Sequence, residues 1–341
     1  MTRRTDSGFS DIPFDRMTRT LLSLARSGPL AVLIHARPDG DCVGSGFALA
    51  ALLASAGCKA RVICPDPMPE RLAFLDVTGQ GDILPPAEGE PFGPGSRAVS
   101  VDVAAPALFG GLDSKYNVLL GIDHHESSTA VSDRYNDPSA AAAGEIVWRI
   151  AKNWLRTGVI ETISHETAYA SYAAISSDTG CFRFPNVTPS THRIAAQLLS
   201  EVPEHAEIDR RLFEIKTPGR IAAEKMALDL LKVSDGGKIS LCAISADMIR
   251  EAGLEQSELD ALTDVARSVD GVAVAIAVRE EKPGVFRVSL RSNGNADVSE
   301  ICSGFGGGGH KRAAGCTIHA ASVDDAANSV LGAVRRALCK S

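Results

Sequence analysis

The sequence predicts an α/β protein with two domains: an N-terminal parallel sheet with helices on both faces, and a smaller C-terminal domain of mixed α/β structure. In residues 14–200, short apolar runs alternate with stretches of helical spacing, a pattern typical of a parallel sheet covered on both faces. The pattern of apolar and polar residues changes after Ser234-Asp-Gly-Gly, where strand-like runs begin to follow one another. A length of 341 residues fits two domains of ordinary size.

The elements of the first domain can be justified in chain order. Apolar residues at helical spacing predict an opening helix over 14–27. A small, apolar stretch predicts a helix that Gly44 and Ser45 open and that stops at Gly57. Residues 85–96 are rich in proline and glycine and predict a surface loop. The remaining strands are expected at 31–35, 60–64, 97–103 and 116–122, and the remaining helices near 140–155, 165–177 and 188–199.

The second half is expected to consist of a helical linker over 201–235 and a domain over 236–341. The linker prediction depends on 208–233, which has a largely helical pattern interrupted at Thr217-Pro-Gly. Alternating or apolar runs predict the strands of the second domain at 238–244, 272–279, 286–291 and 313–318. One long amphipathic stretch predicts its last helix at 322–339.

Composition limits the class of protein. A net charge of −7 argues against a large non-specific nucleic-acid surface, so we expect no long nucleic-acid track. The eight cysteines form no CxxC pair, which argues against a zinc knuckle and predicts free thiols in a reducing compartment. The sequence shows no apolar signal segment and no run long enough to cross a bilayer. The expectation is a cytoplasmic protein without a membrane partner.

Acids and histidines follow the apolar runs of the N-terminal half. They are His35, Asp39, Asp41, Asp102, Asp123, His124, His125 and Asp178. Ligands bind beyond the carboxyl ends of the strands in an open α/β sheet, so these side chains are expected to form one site. Several carboxylates in one dry cleft repel each other unless cations lie between them. Oxygen and imidazole ligands without a thiolate favour Mn²⁺ or Mg²⁺ over a structural zinc, which predicts a two-metal hydrolase.

Most of these residues also have a simpler interpretation when taken alone. An Asp-rich turn with a capping serine would explain Asp39 and Asp41, and a histidine pair in a loop usually lies at the surface. Asp102 by itself would be a hydrogen-bonded loop residue. Asp178 lies at a predicted helix end, where the dipole disfavours an anion and a metal would offset the cost. The ordered combination of these residues favours the metal site over the separate explanations.

A glycine run, Gly306-Gly-Gly-Gly-His310, is the second candidate centre. Successive glycines expose backbone N–H groups and suit a loop wrapped closely on a phosphate or nucleotide. The alternative is a flexible linker. Arg291 and Ser292 end a predicted strand and would add a guanidinium and a hydroxyl. Arg183 is a third candidate cation, and the alternative for it is a solvated loop arginine.

The ordered motifs HxxxDxD, Asp102, Asp123-His124-His125, Asp178 and a C-terminal GGGGH resemble the DHH phosphoesterase superfamily with a DHHA1 domain. Within it, the short layout resembles the bacterial nano-RNase or pAp phosphatase family. The resemblance extends from about residue 14 to the end of the chain. It implies a DHH catalytic domain, a DHHA1 substrate-binding domain, an active site in the cleft between them, and a homodimer.

The resemblance also implies two bound Mn²⁺ ions, with Mg²⁺ as the other possibility. The ligands of one ion would be His35, Asp39 and Asp102. The ligands of the other would be Asp41, Asp102, His124 and Asp178. The catalytic residues would be His125, Asp123 and Asp102, with His125 facing the scissile phosphate. The substrate-binding residues would be Arg291, Ser292, Gly307, Gly308, Gly309 and His310. To these we add Arg183.

The implied reaction is phosphoester hydrolysis in a short nucleotide: nanoRNA of two to five nucleotides, pAp, or a linear dinucleotide such as pApA. Water activated between two metals would attack phosphorus in line with the leaving oxygen. A RecJ-like single-strand exonuclease is an alternative, although those chains are longer and carry an extra OB-type domain. A family II pyrophosphatase would lack the glycine-rich loop. A non-catalytic nucleotide sensor would be expected to have lost metal ligands, and none is lost here.

Overall fold

A computed structural model describes residues 10–255 and 258–339, with Ser10 and His310 described by their backbones alone. The chain divides into two compact units, with the boundary between Ile215 and Lys216. Each unit has its own sheet and its own hydrophobic core. The predicted α/β class, with a parallel N-terminal sheet and a mixed C-terminal sheet, is confirmed.

The first unit contains a parallel sheet. Its strands are β1 (Ser10–Asp11), β2 (Leu30–Leu33), β3 (Ala60–Ile63), β4 (Arg97–Val101), β5 (Asn117–Asp123) and β6 (Asp133–Asn136). Its α-helices are α1 (Phe14–Arg26), α2 (Gly40–Ser55), α3 (Ala143–Arg156), α4 (His165–Asp178), α5 (Pro189–Glu201) and α6 (His205–Phe213). Short 3₁₀ helices cover Glu70–Leu75 and Pro106–Phe109. The strand order is β1-β6-β5-β4-β2-β3, and every described pair is parallel.

Both faces of this sheet are covered, which explains why the central strand β2 is apolar along its whole length. Leu30 and Val32 of β2 are buried in the core that the α-helices form on one face. Ala31 and Leu33 are buried on the other face, together with the 3₁₀ helix Pro106–Phe109 and its adjoining loops. The sheet is therefore a rigid platform, and its strand ends carry the candidate site residues.

The second unit contains a mixed sheet. Its strands are β7 (Lys232–Ser234), β8 (Ile239–Ile244), β9 (Val274–Lys282), β10 (Val285–Ser292), β11 (Gly308–His310) and β12 (Ala313–His319). Its α-helices are α7 (Pro218–Leu230), α8 (Ala246–Glu251), α9 (Ala261–Arg267), α10 (Val298–Ser303) and α11 (Val323–Leu338). The strand order is β11-β12-β10-β9-β8-β7. The β8–β9 pair is parallel and the other described pairs are antiparallel.

The start of α2 differs from the prediction. The helix begins at Gly40 rather than at Gly44, because the Asp39 carboxylate accepts hydrogen bonds from the backbone N–H groups of Asp41 and Cys42. Asp41 therefore lies in the first turn of a helix rather than in a loop.

Two segments of the second half also differ from the prediction. Residues 232–234 form β7 rather than the end of a helix, because they pair with the edge of β8. The last three residues of the glycine run form β11 rather than a loop, because they pair with β12.

Strand β6 of the first unit was not predicted, since its Asp-Arg-Tyr-Asn sequence contains no apolar run. None of the described helices is long and apolar enough to cross a lipid bilayer.

The expected linker, residues 201–235, contains α6 and α7. Ile208 of α6 is buried in the core of the first unit. Ala223 and Ala227 of α7 are buried in a core of the second unit. Each helix therefore packs into one of the two units, while the exact limits of the predicted domains stay a prediction.

Candidate metal centre

His35 follows β2 and is oriented by its own neighbour. Its Nδ1 lies 2.9 Å from the carbonyl oxygen of Ala36, which places the ring proton on Nδ1. Its Nε2 then faces two carboxylates, at 3.6 Å from Asp39 Oδ2 and 3.6 Å from Asp102 Oδ2. Burial by itself lowers the pKa of His35, but the charges of Asp39 and Asp102 outweigh it and raise the pKa to about 9.

Asp39 uses its two carboxylate oxygens differently. Oδ1 caps α2 and Oδ2 faces His35. Burial raises the pKa of this carboxyl group, but His35 and the backbone N–H of Cys42 outweigh that effect and lower the pKa to about 2. The ionised carboxylate is thus fixed at the start of the helix with one oxygen directed into the site.

Asp41 connects the site to α3. Its side chain is 2% exposed and accepts hydrogen bonds from the backbone N–H groups of Ala143 (2.7 Å) and Gly144 (3.1 Å). The residue that precedes α3, Ala142, has no capping side chain, so Asp41 supplies the missing cap from another helix. Burial and the charge of Asp102 nonetheless raise the pKa of Asp41 well above its ordinary value.

Asp102 lies at the centre of the cluster. It follows β4 in a left-handed backbone conformation, with φ of 60°, which is strained for a residue other than glycine. Its side chain is buried, and Oδ1 makes no hydrogen bond to any described residue. Oδ1 lies 3.4 Å from His124 Nε2, while Oδ2 faces His35. A buried carboxylate oxygen without a hydrogen bond is costly unless a cation binds it.

His124 brings a second group of acids together at the end of β5. Its Nε2 lies 3.5 Å from Asp41 Oδ2 and 3.9 Å from Asp178 Oδ2. Burial lowers the pKa of His124, but the nearby carboxylates, Asp102 first, outweigh it and raise the pKa to about 11. Asp178 is the last residue of α4, and burial raises its pKa to about 6.

Asp123 orients His125. Asp123 Oδ1 lies 2.8 Å from His125 Nδ1 and also accepts hydrogen bonds from the backbone N–H groups of His124 and His125. Burial lowers the pKa of His125, but the hydrogen bond with Asp123 and the charge of Asp102 outweigh it and raise the pKa. Asp123 therefore acts on the ring of His125, and it is absent from the three described groups of ligand atoms.

Those three groups share Asp102 and His124. Within each group the ligand atoms lie within 4.8 Å of one another. The groups are His35, Asp39, Cys42 and Asp102; Asp102, His124 and His125; and Asp41, His124 and Asp178. The structure thus brings together every predicted metal ligand. These oxygen and imidazole donors, with the unpartnered Oδ1 of Asp102, fit divalent cations.

Cys42 is the one member of these groups that sequence reasoning did not name. Its sulfur accepts a hydrogen bond from the backbone N–H of Asp39 at 3.3 Å. Burial and the charge of Asp39 raise the pKa of this thiol well above its ordinary value. A protonated thiol is a poor metal ligand, so Cys42 supports the loop geometry rather than extending the donor set.

Two asparagines support the site and were also missed. The Asn186 side-chain amide donates to the carbonyl oxygens of Ala141 (2.9 Å) and Asp178 (3.1 Å), and lies 3.4 Å from Asp178 Oδ2. The Asn136 amide donates to the carbonyl oxygen of His125 at 2.9 Å. Neither residue follows a long apolar run, so the pattern that identified the acids does not identify these residues.

Arg183 is held inside the first unit. Its Nε donates to the carbonyl oxygen of Gly180, and its guanidinium lies 5.7 Å from the ring centroid of Phe213. These contacts pack the side chain against α6. These contacts hold Arg183 within the first unit. Its role in substrate binding stays a prediction.

The other predicted substrate residues belong to the second unit. Arg291 is the last residue but one of β10, and its Nη1 donates to the carbonyl oxygen of Leu290 at 3.0 Å. Burial and the charge of Arg267 lower the pKa of Arg291. Ser292 is buried, and its hydroxyl donates to the carbonyl oxygen of Gly294 at 3.3 Å. The side chain of His310 lies outside the described part of the structure.

The glycine run has a steric explanation in this unit. A Cβ on Gly307 would lie 2.3 Å from the carbonyl oxygen of Gly315, and one on Gly309 would lie 2.5 Å from that of Ala313. These two glycines therefore let β11 approach β12 closely. Gly308 is exposed and has open space where a Cβ would be, so its backbone is the accessible part of the run.

Comparison with known proteins places this architecture in a family. The family model described as "DHH family, N-terminal domain" matches residues 29–175, and the DHHA1 domain model matches residues 238–336. The chain is 32% identical over 318 residues to the bifunctional oligoribonuclease and PAP phosphatase NrnA of Thermus thermophilus, covering 93% of this chain and 92% of that protein. It is 28% identical to a probable NrnA protein of Streptococcus mutans, covering 82% of this chain and 86% of the relative.

A solved structure supports the fold. An exopolyphosphatase-related protein from Bacteroides fragilis superimposes with a TM-score of 0.80 at 20% sequence identity, covering 96% of each chain. At that identity the likeness concerns the fold alone. The sequence matches carry the family assignment: this chain belongs to the DHH/DHHA1 phosphoesterase superfamily, within the family of the NrnA-type oligoribonucleases and PAP phosphatases, and is a hydrolytic phosphoesterase.

Proposed function

We propose that this protein hydrolyses short nucleotide substrates (nanoRNA, pAp or linear dinucleotides such as pApA) with two Mn²⁺ ions. The observation that carries the proposal is Asp102, a buried carboxylate that lies between His35 and His124 and has one oxygen without a hydrogen bond. Such a residue suits a ligand shared by two cations. Mn²⁺ is proposed over Mg²⁺ because imidazole donors favour it.

The proposed ligands of the two cations lie on opposite sides of Asp102. His35 and Asp39 lie on one side, and Asp41, His124 and Asp178 lie on the other. When bound, two divalent cations supply Lewis-acid activation of water and stabilise negative charge on the phosphoryl group.

His125 is proposed to protonate the leaving oxygen and to stabilise charge on the phosphate. The hydrogen bond with Asp123 and the charge of Asp102 raise its pKa, which favours the protonated form that can donate. Asp123 is a positioning residue in this scheme, because it holds His125 Nδ1 at 2.8 Å and fixes the direction of the ring.

The substrate class is supported by the names of the relatives and by the charge of the chain. Both reported sequence relatives are named as oligoribonucleases and PAP phosphatases. A net charge of −7 suits a short substrate held by a few cations better than a long strand held on a basic track. Arg291 and the backbone of Gly307, Gly308 and Gly309, with His310, are proposed to hold the nucleotide, and Arg183 and Ser292 complete the proposed contacts.

We further propose a cytoplasmic homodimer. All eight cysteines are free in the structure, which suits a reducing compartment. The dimer rests on resemblance to the family. Light scattering of the purified protein at several concentrations tests it, and a monomer mass throughout that range would contradict it.

A turnover panel tests the reaction. The purified protein with Mn²⁺ is assayed on pAp, pApA, a 5′-phosphorylated RNA 5-mer, an RNA 24-mer and pyrophosphate. Asp102→Asn and Arg291→Ala are assayed beside the wild type, and Asp113→Asn, an exposed acid outside the site, serves as the control. Release of mononucleotide from the short substrates, lost in Asp102→Asn and retained in Asp113→Asn, is expected.

The panel also separates the alternatives. Preference for the 24-mer would indicate a RecJ-like exonuclease, and preference for pyrophosphate would indicate a pyrophosphatase. Retention of activity by Asp102→Asn would contradict the proposed metal centre. Substitution of Mg²⁺ for Mn²⁺ in the same assay tests the metal preference.

A further inference from the structure

One face of the second sheet carries two arginines of β10. On this face α9 packs over β8 and β9, and the core that it forms there contains no residue of β10, β11 or β12. Burial alternates along β10, where Phe286, Val288 and Leu290 are buried in the core that packs against α11. The intervening residues Arg287 and Arg291 point to the opposite face and are only half-buried. We call this the arginine face, and define it by Arg287, Ser289, Arg291, Ala313, Gly315 and Gly308.

The strands beside these arginines present small residues on the same face. Gly315 of β12 pairs with Ser289, and Ala313 pairs with Arg291. Gly308 of β11 pairs with Gly315. Thr317 of β12, which is exposed, pairs with Arg287 and is the largest side chain that β12 presents opposite residues 287–291 on this face. Gly315, Ala313 and Gly308 leave a shallow shelf beside the glycine run.

Arg287 lies along this shelf. Its Nη2 is 3.5 Å, and its Cζ 3.8 Å, from the position that a Cβ on Gly315 would take. The guanidinium thus lies over Gly315, whose partner on β11 is Gly308. A Cβ at residue 315 would be in van der Waals contact with this guanidinium.

The charges around Arg287 are unbalanced. Arg279 lies directly opposite it on β9, and like charges in that position are destabilising. Arg279 has two distant carboxylates, Asp260 at 3.6 Å and Glu281 at 3.8 Å. Within residues 10–255 and 258–339, Arg287 itself has no ion-pair partner. An anion on the arginine face would relieve the repulsion between the two guanidinium groups.

The spacing of the two β10 arginines suggests what the anion is. Arg287 and Arg291 are four residues apart on one face of a strand, which places their Cα atoms ~13 Å apart. This separation exceeds one nucleotide step of an extended strand. In the structure the Arg287 guanidinium lies beside Gly315, whereas Arg291 Nη1 donates to the carbonyl oxygen of Leu290. Each can therefore engage its own phosphate of one short strand that runs across Gly315 and Gly308.

We propose that Arg287 is a second phosphate-binding residue of this enzyme, which engages a substrate phosphate beyond the one held near Arg291 and so favours RNA of three or more nucleotides over pAp. The inference deepens the proposed function and depends on it. Arg287 was not among the residues that sequence reasoning named, because a charged residue in an alternating strand normally faces solvent.

The test compares Arg287→Gln and Arg287→Lys with the wild-type holoenzyme, on pAp and on the 5′-phosphorylated RNA 5-mer. Arg336→Gln, an exposed arginine of α11 with no ion pair among the described residues, is the matched control. Arg287→Gln should lower the ratio of kcat/KM for the 5-mer to kcat/KM for pAp roughly tenfold, the effect of one charge-assisted hydrogen bond. Arg287→Lys should recover part of that ratio.

The salt dependence of binding distinguishes a phosphate contact from a structural role. For the 5-mer, the slope of log Kd against log salt concentration, measured by fluorescence anisotropy, should become shallower by about 0.7 in Arg287→Gln. It should be unchanged in Arg336→Gln. A wild-type ratio and slope in Arg287→Gln, or equal losses on both substrates, would overturn the inference. If the wild type hydrolyses neither substrate, the proposed function fails, and the anisotropy slopes still decide the role of Arg287.

Discussion

At the scale of single residues, Asp102 combines three features that are each unfavourable in a protein without a bound cation. It is buried, one of its oxygens lacks a hydrogen bond, and its backbone has a φ of 60°. Strain of this kind persists only where the surrounding structure holds it, and it is found chiefly at functional sites. The neighbouring β4 and β5 strands provide that support, since the backbone N–H of Asp102 donates to the carbonyl oxygen of Ile122.

Asp102→Asn isolates the charge of this residue from its backbone conformation. Asparagine tolerates the left-handed region, and the substitution removes one negative charge from the cluster. In EDTA at pH 7 the variant should melt below the wild-type temperature, because it loses the charge that pairs with protonated His35 and His124. With Mn²⁺ it should lose the increase in melting temperature that the wild type shows. Differential scanning fluorimetry measures both, with Asp113→Asn as the control, and a wild-type Mn²⁺ response in Asp102→Asn would contradict the assignment.

Asn186 is the residue that supports Asp178 at the end of α4. Asn186→Ala should weaken Mn²⁺ binding about 10–100-fold, as removal of a hydrogen-bonding group behind a metal ligand typically does. The reason is that Asp178 lies at a helix C-terminus, where the dipole opposes its charge. The Asn186 amide donates to the backbone carbonyl oxygen of Asp178 and lies 3.4 Å from its carboxylate Oδ2. Isothermal titration calorimetry measures the affinity. Asn117→Ala, at an exposed position, is the control, and equal affinity in both variants would show that Asn186 is dispensable.

At the scale of elements, the site depends on the close packing of α2, α3 and α4. A Cβ on Gly44 of α2 would lie 2.9 Å from the carbonyl oxygen of Ala170 on α4. A Cβ on Gly144 of α3 would lie 2.5 Å from the Cβ of Ala174, also on α4. These helices carry Asp41, the backbone N–H groups that bind it, and Asp178. Small residues at the crossings therefore set the spacing of the ligands.

Gly144→Ala should destabilise the protein by about 1–3 kcal/mol, because the added methyl group overpacks the α3–α4 contact. A glycine-to-alanine substitution at an open helix position should change the free energy of unfolding in the opposite direction. Gly332→Ala in α11 should stabilise by about 0.5–1 kcal/mol, because only the flexible end of Arg336 lies near the new Cβ. Urea denaturation measures both. Two changes of the same sign would show that packing at Gly144 is not the cause.

At the scale of the whole molecule, all candidate metal ligands belong to the unit that ends at Ile215. Stability is therefore expected to depend on metal and on protons through this one cluster. His35 and His124 have pKa values raised from the ordinary 6.5 to about 9 and about 11. Metal binding requires neutral imidazoles and so must release protons.

The sign of the pH dependence follows from these raised pKa values. Without metal, the stability that the protonated histidines contribute is fully present below pH 6.5 and is lost as pH rises through about 9. With saturating Mn²⁺ the loss should disappear, because the metal replaces the protons. The difference in melting temperature between Mn²⁺ and EDTA should therefore grow from pH 6.5 to pH 9. A difference independent of pH would contradict protonation of the ligand histidines in the metal-free protein.

The sequence by itself determined the α/β class and most main elements, because buried parallel strands are apolar throughout and helices have their own period. Helix α1 and strand β3 lie within a residue of their predicted limits. The acids and histidines that follow these runs were recognisable for the same reason, since the strand ends of an open sheet converge.

Only the tertiary structure decided how the polar groups are used. The carboxylate of Asp41 caps α3, which begins 102 residues later, and the amide of Asn186 meets Ala141 and Asp178. On the arginine face, Arg287 lies over Gly315 only because β10 and β12 pair in that register. Local sequence patterns report whether a side chain is buried, but the direction and partner of a polar group depend on elements that are distant in the chain.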